Sequence, residues 1–200
     1  IWSRLVGSEM CIRDRDMVQT AFKEWAVIVE ALGQGEQIVI LRKGGIAEGR
    51  GGFRVEHERF WLFPTRFHQQ AEGVVPDAAA RFGLMTFPPE DVLRIQFAAE
   101  VVEARQLETL AAAERLAGQH IWRDDVIAER FDWGRDQGIY AMAVRVRQLA
   151  PPMDLPMLEE YGGCKSWIEL GPAMDIDAAN PVLEDAIFDK KLAGFREALA

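Results

Sequence analysis

Residues 42–69 constrain the fold of this chain more than any other segment. Five glycines fall between positions 44 and 52, and the block Phe60-Trp61-Leu62-Phe63 follows soon after. Glycine-rich sequence favours irregular backbone, whereas a short run of large apolar side chains is typical of a buried strand. The segment therefore predicts a flexible loop that runs into a buried strand at residues 59–64.

Two pairs of segments rich in β-branched residues predict β-hairpins. The first pair, residues 24–31 and 37–42, flanks a glycine-containing turn. The second pair, residues 126–131 and 139–149, is also separated by glycine-containing sequence. Valine and isoleucine fit a pleated, half-buried backbone, so we expect all four segments to be strands.

Residues 93–101 alternate apolar and mostly polar side chains, which is the period of a half-buried strand. A helix is the alternative, because the preceding Pro88-Pro89-Glu90-Asp91 resembles a helix start. Residues 166–170 predict a last short strand. Irregular backbone is expected around three prolines: Pro151, Pro152 and Pro156.

Three segments predict helices. Pro76-Asp77 begins the first, residues 107–117 are rich in Ala, Leu and Glu, and Asn180-Pro181 suits the start of the third. The last helix has an apolar stripe: Phe188, Leu192, Phe195 and Leu199. The stripe favours packing on the domain, and partner docking is the alternative. We predict an α+β fold, a single domain with a curved, mostly antiparallel sheet flanked by helices and a C-terminal amphipathic helix.

The first fifteen residues resemble an in-frame translation of a sequencing-library adapter, with LVGSEMCIRD at its centre. Charged and polar residues interrupt the apolar run of roughly 7–15 residues that a signal peptide needs. We therefore expect residues 1–15 to be a non-native tail. Residues 16–175 are expected to form the α+β domain and residues 176–200 the C-terminal helix.

The composition excludes several classes of protein. Hydrophobic residues make up 49% of the chain, which is typical of a protein that buries a core and is not disordered. No apolar run approaches the roughly 20 residues of a membrane span. With Cys11 set aside in the tail, Cys164 is the single cysteine, so we expect no internal disulfide and a cytoplasmic location. A net charge of −9 opposes non-specific binding to nucleic acid or anionic membrane.

A positive segment stands out against this acidic background. Residues 42–66 contain six basic and three acidic side chains. Glycine N–H groups and arginines bind phosphate, aromatic rings two apart on a strand can stack a base, and histidine or glutamine can orient its edge. A nucleotide or nucleic-acid site is therefore predicted at Arg42, Lys43, Gly44, Gly45, Arg50, Arg54, Trp61, Phe63, His68 and Gln69. The alternatives are solvated loop charges, and core packing for Trp61 and Phe63.

A small metal-independent enzyme is the second interpretation. His57 or His68 would act as acid or base, and Cys164, followed by Lys165, would be the nucleophile. A buried structural thiol is the alternative for Cys164. The histidines and cysteine lack the spacing of a metal site, so no metal and no cofactor are predicted. The third interpretation is an interaction subunit with a protein partner.

Five strings carry a similarity to a known family: KEWAVIVEAL, ILRKGGI, EHERFWLFPTRFHQ, HIW and YGGCKSWIEL. Through them the segment from about residue 22 to about residue 170 resembles the uncharacterised DUF1802 family. The resemblance implies no particular activity. Members of that family occur with restriction-endonuclease-like domains, which implies nucleic-acid handling, but no such domain fits within this chain.

Overall fold

The computed structural model describes residues 17–43, 55–66, 68–133 and 138–200, and for His68 only the backbone. The expected tail at residues 1–15 lies outside the described residues. So do four of the predicted ligand-binding residues: Gly44, Gly45, Arg50 and Arg54.

The described residues form a mixed α/β domain with seven strands and five α-helices. The strands are β1 (Met17–Trp25), β2 (Val39–Arg42), β3 (Arg59–Thr65), β4 (Val92–Leu107), β5 (Ile139–Pro156), β6 (Trp167–Asp175) and β7 (Asn180–Pro181). The helices are α1 (Ala26–Gly33), α2 (Pro76–Leu84), α3 (Leu110–Glu114), α4 (Asp124–Asp132) and α5 (Asp185–Ala198). Short 3₁₀ helices occupy His68–Gly73 and Glu159–Tyr161. Among the described helices, none has both the length and the apolar character needed to cross a bilayer.

The strands form one open sheet in the order β2-β5-β4-β3-β1-β6, with β7 beside β5. β1 and β3 run parallel, and the other described pairs are antiparallel. The predicted mostly antiparallel α+β fold is therefore confirmed. Because β1 and β3 are parallel, their carboxyl ends meet, with Trp25 opposite Thr65. Helix α1 begins directly at this point.

The two faces of the sheet bury two apolar clusters. On β1, Phe22 belongs to the larger cluster and Ala21 to the smaller one, as strand alternation requires. The predicted stripe on α5 packs against the larger cluster through Phe188, Leu192 and Phe195. Packing of this helix on the domain, the favoured reading of the stripe, is confirmed.

Both predicted hairpins are wrong in their first segment. Residues 26–33 form α1, in which six of eight residues are buried. A helix buried on most of its surface carries the same β-branched residues as a buried strand, so composition did not separate the two. Residues 124–132 form α4, whose first turn contains Asp124 and Asp125. These carboxylates complement the helix dipole, a signal that outweighs the apolar residues after them.

The proline-containing segment is a strand rather than irregular backbone. β5 continues to Pro156, and its pairing with β4 shifts register between Ile95 and Phe97. Residues 149–152 fall within that shift. Because proline cannot donate to a ladder, an interruption in the pairing is where it is tolerated.

The predicted helix boundaries at residues 107–117 and 180–181 are also wrong. Leu107 ends β4, and α3 begins later, where the Thr109 hydroxyl accepts a hydrogen bond from the Ala112 N–H at 3.2 Å. Asn180 and Pro181 pair with β5, and α5 begins only at Asp185. The strands predicted at residues 59–64, 93–101, 139–149 and 166–170 and the helix predicted to begin at Pro76 are confirmed.

Candidate functional site

Charged and aromatic side chains from distant parts of the chain meet at the carboxyl end of β1. Glu24 and Trp25 end β1, Arg42 ends β2, Arg130 lies in the last turn of α4, and Trp122 precedes α4. We call these five residues the β1-end site. Trp25, Arg42 and Arg130 are partly exposed, whereas Glu24 and Trp122 are buried.

Glu24 is a buried carboxyl with an incomplete set of hydrogen bonds. Glu24 is 1% exposed, and its Oε1 accepts a hydrogen bond from the Trp25 N–H at 2.6 Å. Oε2 has no hydrogen-bond partner among the described residues. Burial raises the pKa of Glu24, and the charges of Arg42 and Arg130 act in the opposite direction. An unsatisfied buried polar group costs about 1–3 kcal/mol, and more when it is charged.

Arg130 lies against two indole rings. Its guanidinium carbon is 3.7 Å from the Trp122 ring centroid and 5.0 Å from that of Trp25. No described residue accepts a hydrogen bond from this guanidinium. Burial lowers the pKa of Arg130, and the charge of Glu24 raises it. A stacked arginine in this state is oriented by its aromatic neighbours and has its N–H donors available to an external acceptor.

The two indoles form a tilted pair beside this arginine. Their ring centroids are 4.6 Å apart, with an angle of 62° between the planes. A Cβ at Gly73 would lie 2.8 Å from the Trp25 ring, so the close approach of that ring requires glycine. The Trp122 Nε1 has no hydrogen-bond partner among the described residues. The site therefore contains a second buried polar atom without a partner.

Arg42 is held in place by Ser166, the residue that precedes β6. Its Nε and Nη2 donate to the Ser166 hydroxyl at 3.1 and 2.7 Å, and its guanidinium lies 5.2 Å from the Phe22 ring. Lys43 follows it and donates from Nζ to the Phe131 carbonyl at 2.7 Å. Of the predicted phosphate-binding residues, Arg42 thus belongs to the β1-end site, and Lys43 contacts the end of α4.

Trp61 and Phe63 lie in the core, on the other face of the sheet. They are 0% and 4% exposed and belong to the smaller apolar cluster. The Trp61 Nε1 donates to the Val18 carbonyl at 3.0 Å. Neither ring presents a face on which a base can stack, so core packing, the alternative reading, is the role the structure gives them.

Gln69 is exposed on the 3₁₀ helix that follows β3. Its neighbour Gln70 is fully buried, accepts from the Val27 N–H at 3.2 Å, and donates to the Thr65 carbonyl at 2.5 Å. This glutamine fastens α1 to the end of β3. Among the described residues, Gln69 itself makes no contact that would orient it toward a ligand.

Of the predicted catalytic residues, the structure describes the side chains of His57 and Cys164, and these two are not joined to each other. His57 packs edge-on against Trp167, with ring centroids 5.1 Å apart, and no hydrogen bond connects it to Cys164. Cys164 is exposed rather than buried. The side chain of His68 lies outside the described residues. Where the structure describes the chain, no group of three or more His, Cys, Asp and Glu residues is placed to hold a metal ion.

Four of the five residues of the β1-end site were not identified from the sequence: Glu24, Trp25, Trp122 and Arg130. Glu24 and Arg130 lay within segments interpreted as strands, where an occasional charged side chain is ordinary. A single acid before an apolar run, as in EWAVIV, was the available signal for Glu24. Nothing in the sequence brings Arg130 to Glu24, because the two are more than a hundred residues apart.

Comparisons with known proteins identify a family and a small number of similar solved structures. The family described as a domain of unknown function (DUF1802) matches residues 21–193. No curated protein is significantly similar to the chain. The crystal structure of ASCH from Zymomonas mobilis is 13% identical with a TM-score of 0.45, covering 87% of this chain and 92% of that chain. Two mutant forms of that protein are each 12% identical with a TM-score of 0.43, covering 89% and 87% of this chain and 96% of theirs.

Proposed function

The chain belongs to the DUF1802 family, and we propose that it binds a nucleotide, free or within single-stranded nucleic acid, at the β1-end site. The observation that carries the proposal is Arg130. Its guanidinium is stacked 3.7 Å from the Trp122 ring centroid, and its donors meet no acceptor among the described residues. Guanidinium groups bind phosphate oxygens through paired hydrogen bonds, so a phosphate would complete this arrangement.

The local charge supports an anionic ligand. Burial lowers the pKa of Arg130 most, the charge of Glu24 raises it, and the charge of Arg42 lowers it further, so a second positive charge lies near this guanidinium. The carboxyl of Glu24 offsets only part of the positive charge of Arg42 and Arg130. A bound phosphate would supply the remaining negative charge at this site, although the net charge of the whole chain is −9.

The aromatic side chains support a base as the second part of the ligand. Trp25 is partly exposed and tilted against Trp122. Bases stack on tryptophan with about 1–3 kcal/mol per base, largely without regard to sequence. The site therefore combines a partly exposed indole with two guanidinium groups, which together suit one nucleotide.

Fluorescence anisotropy tests the proposal with labelled single-stranded RNA, single-stranded DNA and duplex at about 50 and about 200 mM salt. Mononucleotides serve as competitors. A charged hydrogen bond contributes about 1.5–3 kcal/mol, so Arg130→Gln should weaken binding by about tenfold or more. Arg94→Gln is the matched control, because Arg94 is exposed and pairs with Asp154 on the β4–β5 ladder.

Three results would contradict the proposal. One is the absence of binding to any probe at the lower salt concentration. Another is an equal loss of affinity in both variants, which would indicate a general charge effect. The third is tighter binding to the duplex than to either single strand, which would exclude recognition of an unstacked base.

A further inference from the structure

We propose that Glu24 selects the base of the bound nucleotide, and that the base it selects is guanine. This inference rests on the proposed function, because it names the ligand of the same site. The geometry points to Glu24 through its Oε2, a carboxyl oxygen of a 1% exposed residue that has no partner among the described residues.

The hydrogen bonds of the carboxyl define what it can accept. Oε1 accepts a hydrogen bond from the Trp25 N–H at 2.6 Å. Neither Arg42 nor Arg130 donates to it, because Arg42 donates to Ser166 and Arg130 is stacked on indoles. An ionised carboxylate only accepts hydrogen bonds. In the ionised state, the remaining oxygen can accept a hydrogen bond only from a donor outside the described residues.

Among the common bases, guanine presents two donors side by side, the ring N1–H and the amino group. Adenine and cytosine place a ring acceptor beside the amino group, and uracil places its one N–H between two carbonyls. An acceptor facing a carboxylate is repelled, so only the guanine edge suits Glu24 without a conflict. Enzymes and binding proteins commonly read an unstacked base by its Watson–Crick edge between aromatic side chains.

The backbone around Glu24 is held firmly enough for selection. The Thr65 hydroxyl donates to the Glu24 carbonyl at 3.0 Å, and the adjacent β1 and β3 residues pair in register. Burial raises the pKa of Glu24, so a donor placed on Oε2 would also stabilise the ionised carboxyl. The ligand would thus satisfy a group that the protein alone leaves unsatisfied.

Titration calorimetry on the full chain tests this inference with four nucleoside monophosphates that share one phosphate: GMP, IMP, AMP and UMP. IMP keeps the N1–H of guanine and lacks its amino group. We expect GMP to bind about tenfold or more tightly than AMP and UMP, with IMP between them. Glu24→Gln should remove most of this preference, because its amide presents a donor where the carboxylate accepts.

Glu103→Gln is the matched control, since Glu103 lies elsewhere and its carboxylate is bound by Arg105 and Arg196. It should retain the preference for GMP. Equal affinity for the four ligands, preference for AMP or UMP, or an unchanged preference in Glu24→Gln would overturn the inference. If Arg130→Gln still weakens single-strand binding in that case, the proposed function stands without it. No binding of any nucleotide or single strand would remove both.

Discussion

Arg130 and Arg145 both lie over aromatic rings, but of these two only Arg145 pairs with a carboxylate among the described residues. At α5, Arg145 lies 4.8 Å from the Phe188 ring centroid and pairs with Asp185. At the β1 end, Arg130 lies 3.7 Å from the Trp122 ring centroid and pairs with no described residue. The fold supplies an anion in the first case. In the second it supplies the stacking and the nearby carboxyl of Glu24, which forms no ion pair with Arg130, so we expect a ligand to supply the paired anion.

Two glutamates repeat the contrast. Glu103 accepts hydrogen bonds from Arg196 and Arg105, which hold the pKa of that carboxyl below its usual range. Burial raises the pKa of Glu24, which has one hydrogen bond to a backbone N–H and one unpartnered oxygen. The hydrogen bonds of Glu103 stabilise the folded protein. The buried, incompletely bonded carboxyl of Glu24 destabilises the protein alone, and such a group is typical of a binding site.

The largest expected effect comes from removing the ring beneath each arginine. Trp122 is 1% exposed and Phe188 is 3% exposed, so Trp122→Ala and Phe188→Ala should each lower the free energy of unfolding by about 3–5 kcal/mol. Urea denaturation measures this loss. Only Trp122→Ala should also abolish nucleotide binding, measured at a temperature where both variants are folded. Loss of binding in both variants would contradict the assignment of the ligand to Arg130 and Trp122 alone.

Replacement of the two glutamates should have opposite effects on stability. The folded-state pKa of Glu24 lies above its unfolded value, so its contribution is fully present below the unfolded pKa and is lost as pH rises through the folded pKa. Glu24→Gln should therefore be more stable than the parent at neutral and alkaline pH, by about 1–3 kcal/mol. The difference should disappear in acid. Thermal unfolding across pH is the measurement.

Replacement of Glu103 should change the stability in the opposite direction. Its folded-state pKa is lowered, so its contribution is present above the unfolded pKa and is lost as pH falls through the folded pKa. Glu103→Gln should be less stable than the parent near neutral pH, and the two should converge in acid. A Glu24→Gln variant that is less stable at neutral pH would show that Glu24 is a structural group and not an unsatisfied one.

The smallest expected effect is on salt dependence. If Arg42 contacts a phosphate, Arg42→Gln should reduce the slope of log affinity against log salt concentration by about 1. Arg145→Gln should leave this slope unchanged, because Arg145 is neutralised by Asp185. Anisotropy titrations over a range of salt concentrations give both slopes. Equal slopes in the parent and Arg42→Gln would exclude Arg42 from the phosphate contact.

The sequence predicted the fold class and much of the sheet, because strand periodicity is local and survives in β3, β4, β5 and β6. It did not distinguish α1 from a strand, since a helix buried on most of its surface needs the same apolar residues. The positive segment includes Arg42, which the structure places in the β1-end site, and ligand binding by Arg42 stays a prediction. The sequence did not identify Trp25 and Trp122, because these two residues meet only through tertiary packing, and the predicted Trp61 is buried in the smaller apolar cluster.

The contrast between the two arginines is tested most directly by NMR of the arginine Nε–H and indole N–H groups during titration with GMP. Arg130 is assigned with Arg130→Lys, and the indoles with single Trp→Phe variants. We predict saturable shifts for Arg130, Trp25 and Trp122, and no shift for Arg145 or Trp61. Saturable shifts that include Arg145 or Trp61 and omit Arg130, or no saturable shift in any of these groups, would contradict a nucleotide site at the end of β1.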